Sequence, residues 1–414
     1  MNPLFDRKLF VPDGEAHVMP DGRLYVYGSI DISGSKTYCG EYYHVVSTDD
    51  PKLENWVDHG VSFATTPEYV GDLYVPGTHL YAPDALHKDG KYYLYYCTST
   101  GAEGVAVSDS PAGPFGDPRP VKGVDGRGID PAVFVDDDGS VYYLWGQFTL
   151  SGAKLNADMA SIDESTLQTD ILTEEEHGFH EGASLRKYNG KYYLAYTSVE
   201  RGTACCIAYA MADSPLGPYK KCGVIVDNTG CDPQSWNDHG SMECFKGQWY
   251  IFYHRSSQYT LCNRRMCAEK IFFDENGLIH EVPMTSGGPA GDISAFAPID
   301  GGMACRVAGC CILPDEGGVE KLVTAEPVHT WRRWAKFGPV DFGAGAKALS
   351  VQASGHGTLL FAVENSRELV RVVVDADDFE TYTAELTGEA DGSHLLWVRF
   401  IGEDLALRGF VFAE

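Results

Sequence analysis

No stretch of this 414-residue sequence approaches the roughly 18 uninterrupted apolar residues that a membrane-spanning helix needs. Basic residues are scarce: 32 Lys+Arg stand against 59 Asp+Glu, a net charge of -27. That field repels polyanions, so nucleic acid and anionic membrane surfaces are poor partners, while a neutral ligand is not penalised. Helical periodicity is rare, and no glycine-rich loop carries a strand into a helix, so neither a nucleotide nor a redox cofactor is expected. There is no Cys-x-x-Cys and no Cys/His spacing of a zinc site. The opening residues Met1-Asn-Pro-Leu-Phe-Asp lack the charged segment and apolar run of a secretory signal. The twelve cysteines sit mostly inside apolar runs, which suits reduced, buried thiols of a cytoplasmic protein.

What the chain has in quantity is an aromatic-rich repeat. Asp21-Gly-Arg-Leu-Tyr-Val-Tyr, Asp89-Gly-Lys-Tyr-Tyr-Leu-Tyr, Asp138-Gly-Ser-Val-Tyr-Tyr-Leu, Asn189-Gly-Lys-Tyr-Tyr-Leu-Ala and Lys246-Gly-Gln-Trp-Tyr-Ile-Phe each place a turn before a strand. Their glycines, 22, 90, 139, 190 and 247, are 49 to 68 residues apart, the length of a four-stranded propeller blade with its loops. Ser108-Asp-Ser-Pro-Ala-Gly-Pro-Phe and Ala212-Asp-Ser-Pro-Leu-Gly-Pro-Tyr are nearly identical, and Ser47-Thr-Asp-Asp-Pro is a relative. They read as turns between third and fourth strands. The chain is therefore expected to be all-β: a five-bladed β-propeller over residues 1–295, a turn-rich linker over 296–325, and a small β-sandwich of short alternating strands over 326–414.

In a propeller the innermost strands line one channel, and the residue opening each of them points at a common mouth. Counting back from the hairpin glycines finds Asp13 nine before, Asp84 six before, Asp130 nine before, Glu181 nine before and His239 eight before. A single such acid is an ordinary turn residue. A carboxylate at one offset in blade after blade is not, because converging carboxylates repel and are gathered for metal binding or acid–base work. With aromatic residues nearby, a sugar site is the natural candidate.

On these residues the chain resembles glycoside hydrolase family 43 over about residues 8–285. The carrying motifs are Val11-Pro-Asp13-Gly-Glu-Ala-His, Tyr81-Ala-Pro-Asp84, Gly128-Ile-Asp130-Pro-Ala-Val, His180-Glu181-Gly-Ala-Ser and Asp238-His239-Gly-Ser. The resemblance implies an inverting exo-glycosidase of the α-L-arabinofuranosidase/β-xylosidase type, acting on xylan-derived oligosaccharides. Asp13 would be the general base, Glu181 the general acid, and Asp130 the carboxylate that modulates and orients it. Inversion would set the two working carboxyls about 6.5–9.5 Å apart. The motif reads Asp13-Gly14 where Asp-Pro is commoner, which leaves Glu15 as a rival base. Asp84, His239 and one of Arg264 and Arg265 would bind substrate. His239 would also help hold a structural calcium in the channel, no cofactor being required. A β-galactofuranosidase or exo-β-1,3-galactosidase of the same family is the alternative enzyme, and a non-catalytic sugar-binding propeller the alternative outside catalysis. Residues 326–414 resemble carbohydrate-binding module family 6, through Lys336-Phe-Gly-Pro-Val-Asp-Phe-Gly and Gly392-Ser-His-Leu-Leu-Trp-Val-Arg-Phe. There Trp397 and Phe400 fall in strand patterns as core residues, and a role packed on the propeller is favoured over glycan binding.

Overall fold

The computed structural model describes residues 1–124, 128–232, 236–325, 332–364 and 366–414. Five small antiparallel sheets follow one another along the chain, each built in simple up-and-down order. Blade one comprises Glu15–Val18, Leu24–Gly28, Tyr42–Thr48 and Val57–Ala64; blade two Asp84–Lys88, Lys91–Cys97, Glu103–Ser108 and Gly116–Pro120. Blade three comprises Ala132–Val135, Val141–Trp145, Thr149–Lys154 and Gln168–Thr173; blade four Phe179–Tyr188, Lys191–Ser198, Cys206–Ala212 and Lys220–Asp227. Blade five has three strands, Met242–Phe245, Gln248–Ser257 and Thr260–Ile271.

The repeated turns fall where the spacing put them. Asp89-Gly90, Asn189-Gly190 and Lys246-Gly247 have positive φ at both residues, the two-residue turn whose twist matches the strands it joins. In blades one and three the turn is longer: Met19 and Asp136 each close it by bonding Arg23 and Ser140. All three Ser/Asp-Pro motifs join a third strand to a fourth.

Five separate apolar clusters hold the blades together, each shared by two neighbours: blades one and two, two and three, three and four, four and five, and five and one. The ring is therefore closed. The last seam is sewn by the chain's first residues. Leu4 N–H donates to Met266 O, and the buried Asn2 side chain donates to Ala268 O and Glu269 Oε1 and accepts from Ala268 N–H.

The remaining strands form one ten-stranded sheet with its own apolar core. Its central strand, Ala348–Val363, changes partner midway: residues 348–354 pair with Ala406–Ala413, and 357–363 pair with Ser393–Gly402. The hand-over falls at Gly355 and Gly357, both at positive φ, where a Cβ would strike the backbone of Asp404 and Ile401. A strand that bends and serves two half-sheets is how a β-sandwich turns its corner. The segment 296–325, expected as a linker, is woven into this sheet. Ile299–Asp300 pairs with Ala406–Ala413, Arg306–Ala308 with Trp334–Asp341, and Cys310–Pro314 with Glu320–Thr324. The sheet also begins earlier, at Ile293–Ser294, inside the span assigned to the propeller. The expected module start at 326 lies outside the described residues. Phe400 is core as expected, whereas Trp397 is half-buried against Trp334. No helix is long and apolar enough to cross a membrane among the described residues.

Asn2→Ala removes three hydrogen bonds from the closing seam and a fourth to Thr285 O, and leaves buried polar partners unpaired. It should lower the unfolding free energy by about 1–3 kcal/mol per orphaned group in urea titrations, with kcat/KM unchanged.

Candidate active site

A cavity of about 220 Å³ opens at one end of the channel, lined by Asp13, Asp130, Glu181, His239 and Arg264 together with Tyr38, Tyr81, Gln147, His180 and Trp236. Four of the five residues found by counting from the hairpins thus meet in one place. Asp13 and Asp130 share a backbone device: both have φ near +55°, at 56° and 53°, just before the inner region of their blades. Positive φ is unusual for a non-glycine residue, though Asp tolerates it, and here it turns two carboxyls of different blades toward the same mouth.

Asp13 is buried. Its Oδ1 accepts from Arg264 Nη1 at 2.8 Å and its Oδ2 from Ser29 Oγ at 2.8 Å. Burial works to raise its pKa, but the charge of Arg264, with His254, His239 and the Ser29 bond, outweighs it and brings the group down to about 2. Asp13 is an anion across the neutral range. Arg264 is itself fixed by Asp31, donating from Nε and Nη2 at 2.9 Å each, and its guanidinium stacks 4.6 Å from the Tyr38 ring centre. His254 Nε2–H donates to Asn237 O at 2.6 Å, so Nδ1 is left to accept from Asp13 N–H. Burial and then Arg264 hold this imidazole down to about 3, and it is neutral.

Asp130 and Glu181 form the opposite wall. Asp130 Oδ2 accepts from Gly182 N–H at 3.1 Å, and Glu181 Oε2 from Gln147 Nε2 at 2.6 Å. Asp130 is raised well above the usual carboxylate range by burial, then by Glu181 and Asp13. Burial and these two neighbouring carboxylates favour the protonated form of Asp130, which has no cation of its own. Gly182 is required between them: it has φ 65°, and a Cβ there would lie 2.8 Å from Thr197 Oγ1 and 2.9 Å from His239 Cγ. His239 Nδ1 sits 4.0 Å from Asp13 and 3.8 Å from Asp130, and burial lowers its pKa.

Two expected substrate ligands are elsewhere. Arg265 points away from the cavity and forms a two-armed ion pair with Glu320 of the C-terminal sheet, at 2.8 Å for each arm. Consecutive strand residues face opposite sides, so Arg264 and Arg265 could not both reach the sugar. Asp84 lies deeper, accepting from His17 Nε2 at 2.6 Å, Ala85 N–H at 2.6 Å and Val133 N–H at 2.7 Å. Tyr81 and Ala82 of the same motif line the cavity in its place. Glu15, the rival base, belongs to that lower layer, where its Oε2 accepts from Arg186 Nη2 at 3.1 Å.

The donors near His239 do not form a calcium cage. Calcium takes six to eight oxygens, whereas His239 offers one nitrogen, and the two carboxylates beside it are committed to Arg264 and Gly182. A cation there would draw nearly all its ligands from water. Among the described residues, the one group of three side chains close enough to share an ion is Glu15, His17 and Asp84. The Arg186 guanidinium already occupies that group as its cation.

Counting from the hairpins did not find Gln147, Tyr38, Trp236 or Asp31. Gln147 follows Gly146, whose φ is 139°, and precedes Phe148, whose φ is 64°, so it rides an irregular turn between the second and third strands of its blade. Trp236 and Phe148 are each about half exposed, at 50% and 51%, and both meet the His180 ring edge-on beside Glu181.

The family model for glycosyl hydrolases family 43 matches residues 7–279. A xylosidase/arabinosidase of Humicola insolens is 35% identical over 338 residues, covering 67% of this chain and 98% of that protein. The structure of a β-xylosidase/α-arabinofuranosidase from a compost microbial metagenome, solved with xylotriose, superposes with a TM-score of 0.59 at 32% identity, over 68% of this chain and 97% of that one. The Bacillus subtilis arabinoxylan arabinofuranohydrolase structure covers 100% of this chain and 97% of its own at a TM-score of 0.58; at 24% identity it speaks for the fold alone.

Arg264→Met and Arg265→Met should both cost stability but differ in the pH profile. The first removes the charge that depresses Asp13, so the acid limb of the kcat/KM profile moves to higher pH. The second strands Glu320 and should cost about 3–5 kcal/mol of stability, read by thermal or urea unfolding, with the pH profile unmoved.

Proposed function

Because the chain belongs to glycosyl hydrolases family 43, we propose that this enzyme removes terminal α-L-arabinofuranosyl or β-D-xylosyl units from xylan-derived oligosaccharides by inverting hydrolysis. The observation that carries the reading is geometric: in one small cavity Asp13, bonded to Arg264, faces Asp130 and Glu181 across the mouth of the channel. At about 220 Å³ the cavity is smaller than the ~300–1,000 Å³ usual for ligand pockets, which supports a single bound sugar unit and exo action.

Asp13 takes the proton of a water as it attacks the anomeric carbon. Arg264 keeps Asp13 anionic and aimed, and Ser29 fixes its second oxygen. Glu181 delivers a proton to the departing oxygen, with Gln147 holding the other side of its carboxyl. Asp130 keeps the proton inventory of the pair and orients the strand through Gly182 N–H. A calcium ion near His239, if bound, is hydrated and structural, and no step depends on it. The C-terminal sheet, which resembles a carbohydrate-binding module, acts here as a structural partner; its buried Glu320–Arg265 pair supports that role. Ten of the twelve cysteines, all but Cys222 and Cys244, are buried thiols, which supports a reducing, cytoplasmic location.

A screen of nitrophenyl α-L-arabinofuranoside, β-D-xyloside and β-D-galactofuranoside tests the specificity. Turnover of either of the first two is expected; galactofuranoside alone would move the enzyme to the galactosidase branch, and none at all would leave a sugar-binding propeller. Glu181→Gln should slow natural oligosaccharides by several orders of magnitude but nitrophenyl glycosides far less, because an acidic phenol leaves without a proton. Asp13→Asn should damage both substrate types alike. EDTA is expected to leave most of the activity in place.

A further inference from the structure

One edge of the C-terminal sheet is left open. The strand Arg367–Glu385 pairs with Ala348–Val363 along one side, and no strand lies along the other among the described residues. Thr387 and Gly388 N–H donate to Leu369 O at 2.8 and 3.1 Å and cap the free side at one point. Asp375 N–H donates to Tyr382 Oη at 3.3 Å and caps it at another. Between the two caps the ladder is regular, with register slips only opposite Ala362 and Ala353. An open edge is a template for another strand, and folds usually blunt it with a lysine, a proline or a bulge. Residues 370–374 carry none of these: they read Val, Arg, Val, Val, Val.

The side chains of this stretch define what fits it. Val370, Val372 and Val374 point into the sandwich core. Val373 points outward and is 69% exposed, the most of any large apolar side chain among the described residues. A single exposed valine needs no explanation, but this one has opposite charges placed evenly about it. Arg371 stands two residues before it and Asp375 two after, on the same face because strand residues alternate. Arg371 is held by both oxygens of Glu368, Asp375 by His356 Nδ1 at 2.8 Å, and Asp377 lies 3.3 Å from His356 Nε2. The Arg371 and Asp375 side chains nevertheless stay open, at 53% and 84% exposure.

That pattern is complementary to itself. When two identical strands pair antiparallel about Val373, each Arg371 stands directly across from the Asp375 of the other copy, and Val373 meets Val373. On the inner face Val372 meets Val374, so the two apolar cores join. Directly opposed side chains lie about 4.5–5.5 Å apart, where opposite charges attract and like charges repel. The same patch serves both copies, so the assembly closes at two rather than growing into a fibre. The net charge of -27 opposes unspecific association, which leaves local pairing of this kind to hold two copies together.

We propose that this open edge is an interface between two copies of the chain, joined antiparallel through residues 370–376 into one continuous sheet, with an Arg371–Asp375 ion pair on either side of the two-fold axis. The interface is independent of the hydrolytic reading.

Sedimentation equilibrium of the full chain tests it. The expected mass is twice the 45.3 kDa of one chain. Val373→Asp, which sets two carboxylates face to face, should halve it. Arg371→Asp and Asp375→Arg should each be monomeric, because each sets like charges across the ladder. Mixed together, these two single variants should pair, since every opposed couple is then complementary, and the double variant carrying both changes should dimerise alone. All three positions are exposed, so the variants should fold. A wild-type chain that stays at 45.3 kDa overturns the proposal. So does a dimer that survives Val373→Asp and the single reversals, or single variants that do not pair on mixing.

Discussion

The Arg264 guanidinium, clasped between Asp31 and Asp13, is the contact on which both fold and site turn. Arg264 comes from the last blade and its two carboxylates from the first, so the ion pair crosses the seam where the propeller ring closes. All three side chains are buried, where removing one partner of a charge cluster costs about 3–5 kcal/mol. The same contact sets the chemistry of the cavity. It overcomes the burial of Asp13 and keeps that carboxyl ionised, while burial and the neighbouring carboxylates push Asp130, which has no such cation, toward its protonated form. The arginine thus sets an anionic Asp13 apart from the opposite wall, a division that suits an inverting glycosidase.

Beneath the cavity the channel repeats this arrangement with different residues. Glu15, Asp84 and Glu243 surround Arg186, and again carboxyls outnumber the guanidinium. Burial and then Asp84 raise Glu15 to about 8, and burial raises Asp84 to about 7. His17, lowered to about 4 by burial and then Arg186, stays neutral; its Nε2–H donates to Asp84 and its Nδ1 faces Arg186. The lower layer closes the channel with a plug of hydrogen-bonded side chains. It also explains why Glu15, close in sequence to Asp13, is placed beyond the reach of a ligand in the cavity.

Much of this was legible because a propeller repeats its geometry. Offsets of nine residues from three hairpins located Asp13, Asp130 and Glu181, an offset of eight from a fourth located His239, and the Asp-Ser-Pro turns with their Asp-Asp-Pro relative marked the same strand junction in three blades. The offset that failed, six residues at Asp84, was the shortest, and the shorter lead leaves that carboxyl one layer down while Tyr81 takes its place. Arg264 and Arg265 could not be told apart because choosing a strand face requires the register, which places Ser256 opposite Arg264 and Arg255 opposite Arg265. Gln147 was missed because it sits on an irregular turn after the second strand of its blade, outside the segment before each hairpin that the offsets sample. Residues 296–325 read as a linker because their strands are two to five residues long, too short to show alternation. Their pairing depends on strands as far along the chain as Ala406–Ala413, and no local pattern carries that information.

The central claim is that Asp13 acts as a base on water and never bonds to the sugar. Proton NMR of the first minutes of turnover, on whichever nitrophenyl glycoside the enzyme accepts, tests it most directly. The account predicts that the first free sugar appears as the anomer opposite in configuration to the substrate and only later mutarotates. A first-formed product of retained configuration would contradict it, since retention requires a carboxylate to have formed a covalent bond to the anomeric carbon.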